Sequence, residues 1–183
     1  MATTMKRLII DAARVLLVLG ASSAHGASPN PRLPPELKKL DVWVGNWSLS
    51  GTARDQPDGR EYSLRWTLHE RWVLNRSFLQ VDQTWKGNGQ TQRSLEMLSY
   101  DPVKKLYTDS GFGSDGSTWS LTAVFDGATM IETGQSKGPD GVMTSCRMAW
   151  VFSNDRTSLS GTERCDKGGT RWQAVKVAGT KSN

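Results

Sequence analysis

Residues 61–74 read Glu-Tyr-Ser-Leu-Arg-Trp-Thr-Leu-His-Glu-Arg-Trp-Val-Leu. Tyr62, Leu64, Trp66, Leu68, Trp72 and Leu74 hold the even positions, and only Glu70 breaks that row. Glu61, Ser63, Arg65, Thr67, His69 and Arg71 hold the odd ones. Successive side chains of a strand point to opposite faces, so this two-residue period marks a long strand with one buried face. Asn75-Arg76 then supplies a tight reversal. Pairing Leu74 with Ser77 puts Trp72 opposite Leu79, Glu70 opposite Val81 and Trp66 opposite Trp85. Apolar row meets apolar row, a match that a one-residue slip would destroy.

The same reading extends in both directions. Downstream, Gly87-Asn88-Gly89, Asp101-Pro102 and Gly138-Pro139-Asp140-Gly141 are turns. Between and beyond them, strands are expected near 92–100, 105–112, 117–125, 129–136, 143–152, 158–166 and 170–178. Trp119, Leu121, Ala123 and Phe125 form another inward row. Upstream, Pro35 opens a short helix of about two turns, with Leu37, Leu40 and Trp43 at three-residue intervals. The expectation is all-β: an antiparallel up-and-down barrel of nine to ten strands with one short N-terminal helix, spanning 35–180. Closure removes exposed strand edges. A β-sandwich is the alternative.

Cys146 and Cys165 are the only cysteines. If Ser153 pairs with Ser158 around Asn154-Asp155-Arg156-Thr157, Phe152 faces Leu159, Trp150 faces Gly161, Met148 faces Glu163 and Cys146 faces Cys165. One register aligns the apolar row and the two sulfurs, so a cross-strand disulfide is expected. A redox pair usually shows Cys-x-x-Cys, which this spacing is not.

The N-terminus fixes the expected compartment. Lys6-Arg7, the apolar run Val15–Ala21 and the small residues around Ala24 and Gly26 are the three parts of a secretory signal. Residues 1–26 are expected to be removed, leaving 27–34 as an exposed lead-in. A spanning helix wants roughly 20 apolar residues, so no integral span is expected after cleavage. Export brings the cysteines into an oxidising environment. Removal takes out Lys6, Arg7, Arg14 and Asp11 and leaves 20 basic and 17 acidic residues, a net charge of +3. With no Lys/Arg-rich run, no nucleic-acid partner is expected.

The segment Pro35-Glu36-Leu37-Lys38-Lys39-Leu40-Asp41-Val42-Trp43-Val44-Gly45-Asn46-Trp47 resembles the opening of a bacterial family of uncharacterised proteins, domain of unknown function 1579. Leu74-Asn75-Arg76-Ser77-Phe78-Leu79 and Ser99-Tyr100-Asp101-Pro102-Val103-Lys104-Lys105-Leu106-Tyr107 extend the resemblance over most of the chain after the signal. Gly45-Asn46-Trp47 is a Gly-x-Trp, the signature of the first lipocalin strand. The resemblance implies a lipocalin-like barrel and no particular reaction. It further implies that Gly45 and Trp47 close one barrel end beneath the helix, with Arg171 the nearest candidate to cover the indole. Haem-binding members of the Gly-x-Trp barrels use a His near the C-terminus. Nothing after His69 is His, so that role does not carry over.

Few residues offer chemistry. No set of Cys, His and carboxylates shows zinc-site spacing, so no metal or cofactor is expected. A Ser-His-Asp triad finds no support in His69, the single His left after the expected cleavage, and Gly111-Phe112-Gly113 lacks the helix of a phosphate loop. Glu70 and Glu163 interrupt inward apolar rows. A charge facing a barrel interior is costly unless paired. They are either polar anchors for a ligand or an acid/base pair, or else members of internal ion pairs or wet mouth positions. The leading expectation is an exported barrel that binds a small apolar or amphipathic, lipophilic molecule against Trp66, Glu70, Trp72, Trp119, Trp150 and Glu163. A carboxylate-dependent isomerase or hydrolase is the second reading, and an envelope structural or interaction module without a ligand is the third.

Overall fold

A computed structural model describes residues 34–182. The expected signal peptide, 1–26, and the lead-in up to residue 33 lie outside the described residues. Ten strands follow one helix: β1 (Gly45–Ala53), β2 (Tyr62–Val73), β3 (Phe78–Gly87), β4 (Gln90–Asp101), β5 (Leu106–Gly113), β6 (Thr118–Asp126), β7 (Thr129–Lys137), β8 (Met143–Phe152), β9 (Ser158–Lys167) and β10 (Thr170–Ser182). Each pairs antiparallel with its sequence neighbours, and β1 pairs with β10 to close the barrel. Closure leaves no strand edge unpaired.

The pairings read from the sequence hold residue for residue. Trp72 faces Leu79, Glu70 faces Val81 and Trp66 faces Trp85. Cys146 faces Cys165 and the two are joined in a disulfide. The final strand runs to Ser182, four residues beyond the expected end. In it, a register shift between Gln173 and Val175 leaves Ala174 without a partner on β9. The Ala174 carbonyl accepts the Arg54 N–H at 2.8 Å instead, as a bulge requires.

The helix, Pro35–Val42, is 3₁₀ rather than α. Its period of three stacks Leu37 and Leu40 on one face, both buried, with Trp43 continuing the row. It seals one barrel end. Trp43 meets Trp150 and Phe152 edge-on, at 5.3 and 4.7 Å between centroids. The Trp47 indole is 1% exposed and donates to the Trp43 carbonyl at 2.6 Å. Tyr107 ties the helix down by donating its hydroxyl to the Glu36 carbonyl at 2.8 Å. Among the described residues, no helix is long and apolar enough to cross a membrane.

Candidate functional site

The barrel encloses a cavity of about 400 Å³. It begins at Trp43, under the helix, and reaches Arg54, Gln92 and Ser117 at the other end of the strands. Trp66, Trp85, Trp119 and Trp150 give it aromatic walls. Two glycines make room for two of these rings. A Cβ on Gly161 would collide with Trp150, which lies across from it, and a Cβ on Gly111 would collide with Trp119.

Six carboxylates line the same cavity: Asp55 after β1, beside Arg54, and five from five strands, Glu70 on β2, Glu96 on β4, Asp109 on β5, Glu132 on β7 and Glu163 on β9. Register explains the gathering of these five. Glu70 and Glu96 flank Val81 across consecutive strands. Glu132 and Glu163 flank Met148 in the same way. Asp109 sits opposite Leu98, two residues from Glu96. None takes part in an ion pair among the described residues; those pairs, such as Arg71–Asp82 and Arg76–Asp41, join other groups. The cations nearest the cluster are Lys181, whose charge acts on Glu70, and Arg54 at the cavity's far end.

Burial dominates the chemistry of the five because it penalises the charged form. It pushes Glu96 up to about 8, helped by the neighbouring Glu132 charge. It lifts Glu132 and Glu163 to about 7, although Trp150 draws Glu132 back by donating its indole N–H at 2.9 Å. Glu70 and Asp109 are raised well above the usual carboxylate range, by burial first and then by Glu96. Gln83 stands among them, its carbonyl accepting the Trp66 indole at 2.7 Å. Four buried polar atoms have no partner among the described residues: the acceptors Glu70 Oε2 and Asp109 Oδ1, and the donors Gln83 Nε2 and Arg54 Nε. Glu70 and Asp109 are each 2% exposed. Leaving such atoms unmet is costly.

The Glu163 carboxylate and both disulfide sulfurs lie within 4.8 Å of one another. The sulfurs are bonded to each other and offer no thiolate. No other trio of His, Cys and carboxylates among the described residues is close enough to hold a metal ion.

Of the residues expected to meet a ligand, Trp66, Glu70, Trp119, Trp150 and Glu163 line the cavity, and Trp72 does not. Trp72 lies at the helix end of β2, where it donates to Asp41 at 2.7 Å and packs under the Arg76 guanidinium. That position makes it a strap between helix and barrel. Arg171 also departs from expectation. It starts β10, at the barrel end away from Trp47, and bonds Asp166 at 3.1 Å on the surface. Lys181, at the other end of β10, covers Trp47 instead. Its ammonium sits 4.9 Å from the ring centroid and donates to the Val42 carbonyl at 3.1 Å. Glu96, Asp109, Glu132 and Gln83 were not singled out from the sequence. Carrying the register across β3, β4, β5 and β7 would have turned each of them inward.

Among solved structures, the chain resembles the crystal structure of Rv2717c from M. tuberculosis, with a TM-score of 0.64 and 14% identity, covering 82% of this chain and 99% of that one. At this identity the likeness is one of fold. No match was found among curated proteins. The family model described as protein of unknown function, DUF1579, matches residues 34–180, which take in the helix and nearly all of the barrel. The chain belongs to the DUF1579 family.

Proposed function

We propose that this is an exported protein that binds a small amphipathic molecule inside its barrel. The observation that carries the reading is the cavity of about 400 Å³ with tryptophan walls and unpartnered buried polar atoms. That volume is within the range of small-molecule sites, which pair a mostly apolar lining with a few placed polar groups. Export rests on the signal-like residues 1–26, and the Cys146–Cys165 disulfide is in keeping with an oxidising compartment. The test is intrinsic tryptophan fluorescence titrated with decanol and its longer homologues. A saturable change at one molecule per chain is expected; no saturable change with any of them would overturn the reading.

One observation favours a second reading. Glu70 and Glu163 line a single cavity, neither is ion-paired, and both are raised toward or beyond neutral pH. Carboxylates in that state are suited to general acid/base work, as an isomerase or hydrolase would need. The third reading, a module with no interior site, is disfavoured by the cavity.

A further inference from the structure

We infer that the molecule held in the barrel is an amphipathic amine, a nitrogen cation on an apolar body whose charged end meets the carboxylates of β2, β4, β5, β7 and β9. This rests on the interior binding proposed above and names the class of ligand.

Two independent observations meet at this site. The first is the charge imbalance. Five carboxylates face one cavity, with Lys181 at the Glu70 end, Arg54 at the other, and Asp55 and Tyr62 beside Arg54. The second is the set of polar atoms left without partners. Two of the four, Glu70 Oε2 and Asp109 Oδ1, are carboxyl oxygens of side chains that are 2% exposed, and both residues line the cavity; the other two, Gln83 Nε2 and Arg54 Nε, are donors. A nitrogen cation beside these acids favours their ionised form, in which they only accept, so an N–H donor complements these two oxygens. The walls extend the match, since Trp66, Trp119 and Trp150 present faces that attract a nitrogen cation and flanks that bury an alkyl chain.

A bare metal ion fits less well. A hard cation gathers six to eight oxygens at about 2.3–2.6 Å. The only close trio of ligating groups among the described residues contains the two oxidised sulfurs. An anionic lipid would face five acids with few cations near them. The acids are raised by burial, so they ionise fully only above neutral pH, and the preference for an amine grows from acid to mildly alkaline solution.

Decylamine, decanol and decanoate, matched in chain length, separate the possibilities when titrated into the full barrel by tryptophan fluorescence at pH 6 and pH 8. Decylamine is expected to bind at least about ten-fold more tightly than decanol at pH 8. That preference should shrink at pH 6, with decanoate weakest throughout. Glu70→Gln and Asp109→Asn, which keep shape while removing charge, are each expected to lower the preference for decylamine over decanol several-fold; an unchanged preference in both would overturn the amine assignment. Decanol binding as tightly as decylamine at pH 8 would overturn the amine assignment and leave interior binding standing. Failure of all three to bind would overturn interior binding itself.

Discussion

The Trp150 indole N–H donates to a Glu132 carboxylate oxygen at 2.9 Å, and both side chains line the cavity. This bond restrains the acid but does not compensate its burial, since Glu132 is still raised to about 7. The consequence is a pH-dependent fold. An acid whose value is higher in the folded than in the unfolded chain holds its proton longer when folded. Its stabilising contribution is therefore complete below about pH 4.5, the unfolded value, and is lost as pH rises through 7 to 8. Glu163 alone accounts for about 3 kcal/mol of this. Asp101, Asp115 and Asp155 are lowered and act in the opposite sense, at pH values below the carboxylate range. Urea denaturation is expected to give a higher midpoint at pH 5 than at pH 8.5, with Glu163→Gln flattening the difference. Stability that rises over this interval would contradict the assignment.

The Cys146–Cys165 bond clamps β8 to β9 beside Glu163. Closing a loop of this size constrains the unfolded chain by about 3 kcal/mol. The Cys146→Ser/Cys165→Ser protein should denature at correspondingly lower urea. Titration of the denatured, unreduced protein should find no free thiol; two would show that the bond is not made.

Gly161→Ala places a methyl group into the Trp150 ring, and nothing at that position can give way without moving the cavity wall. Overpacking of this kind costs about 1–3 kcal/mol. Trp150 emission should shift and decanol binding should weaken. A variant as stable as the parent with unaltered emission would mean that the ring lies elsewhere.

Lys181 and Arg171 offer a paired comparison. Lys181→Met removes the cation over Trp47 and the donor to Val42 O, a loss of about 1 kcal/mol. Arg171→Met breaks only a surface pair with Asp166 and should cost under about 0.5 kcal/mol. Thermal melts of the two variants decide it, and the reverse order would restore Arg171 as the cover of Trp47.

The barrel was legible because its registers could be checked against two rows at once. The even positions of 62–74 matched the row from Ser77 onward, and the Cys pair tested the β8–β9 pairing. The acids were harder to see. On β4, Leu95 and Met97 point the opposite way from Glu96 and Leu98, so apolar residues occupy both faces and alternation does not reveal which is inside. On β7, Met130 and Ile131 pose the same ambiguity around Glu132. Only the accumulated register around the barrel resolves it. The helix was legible from Leu37, Leu40 and Trp43, whose three-residue spacing is the period of the 3₁₀ helix found there. Arg171 was named because the resemblance implies an arginine near the last strand, whereas the residue that reaches Trp47 is a lysine, Lys181, near that strand's far end.

The most direct measurement is the set of indole N–H resonances in a ¹⁵N-labelled sample titrated with decanol. Trp66, Trp119 and Trp150 line the cavity, whereas Trp47 and Trp72 do not, their N–H groups being tied to the Trp43 carbonyl and the Asp41 carboxylate. Interior binding predicts that the first three signals move together and saturate while the last two hold still. Unchanged positions for all of them, or movement confined to Trp47 and Trp72, would contradict a ligand inside the barrel.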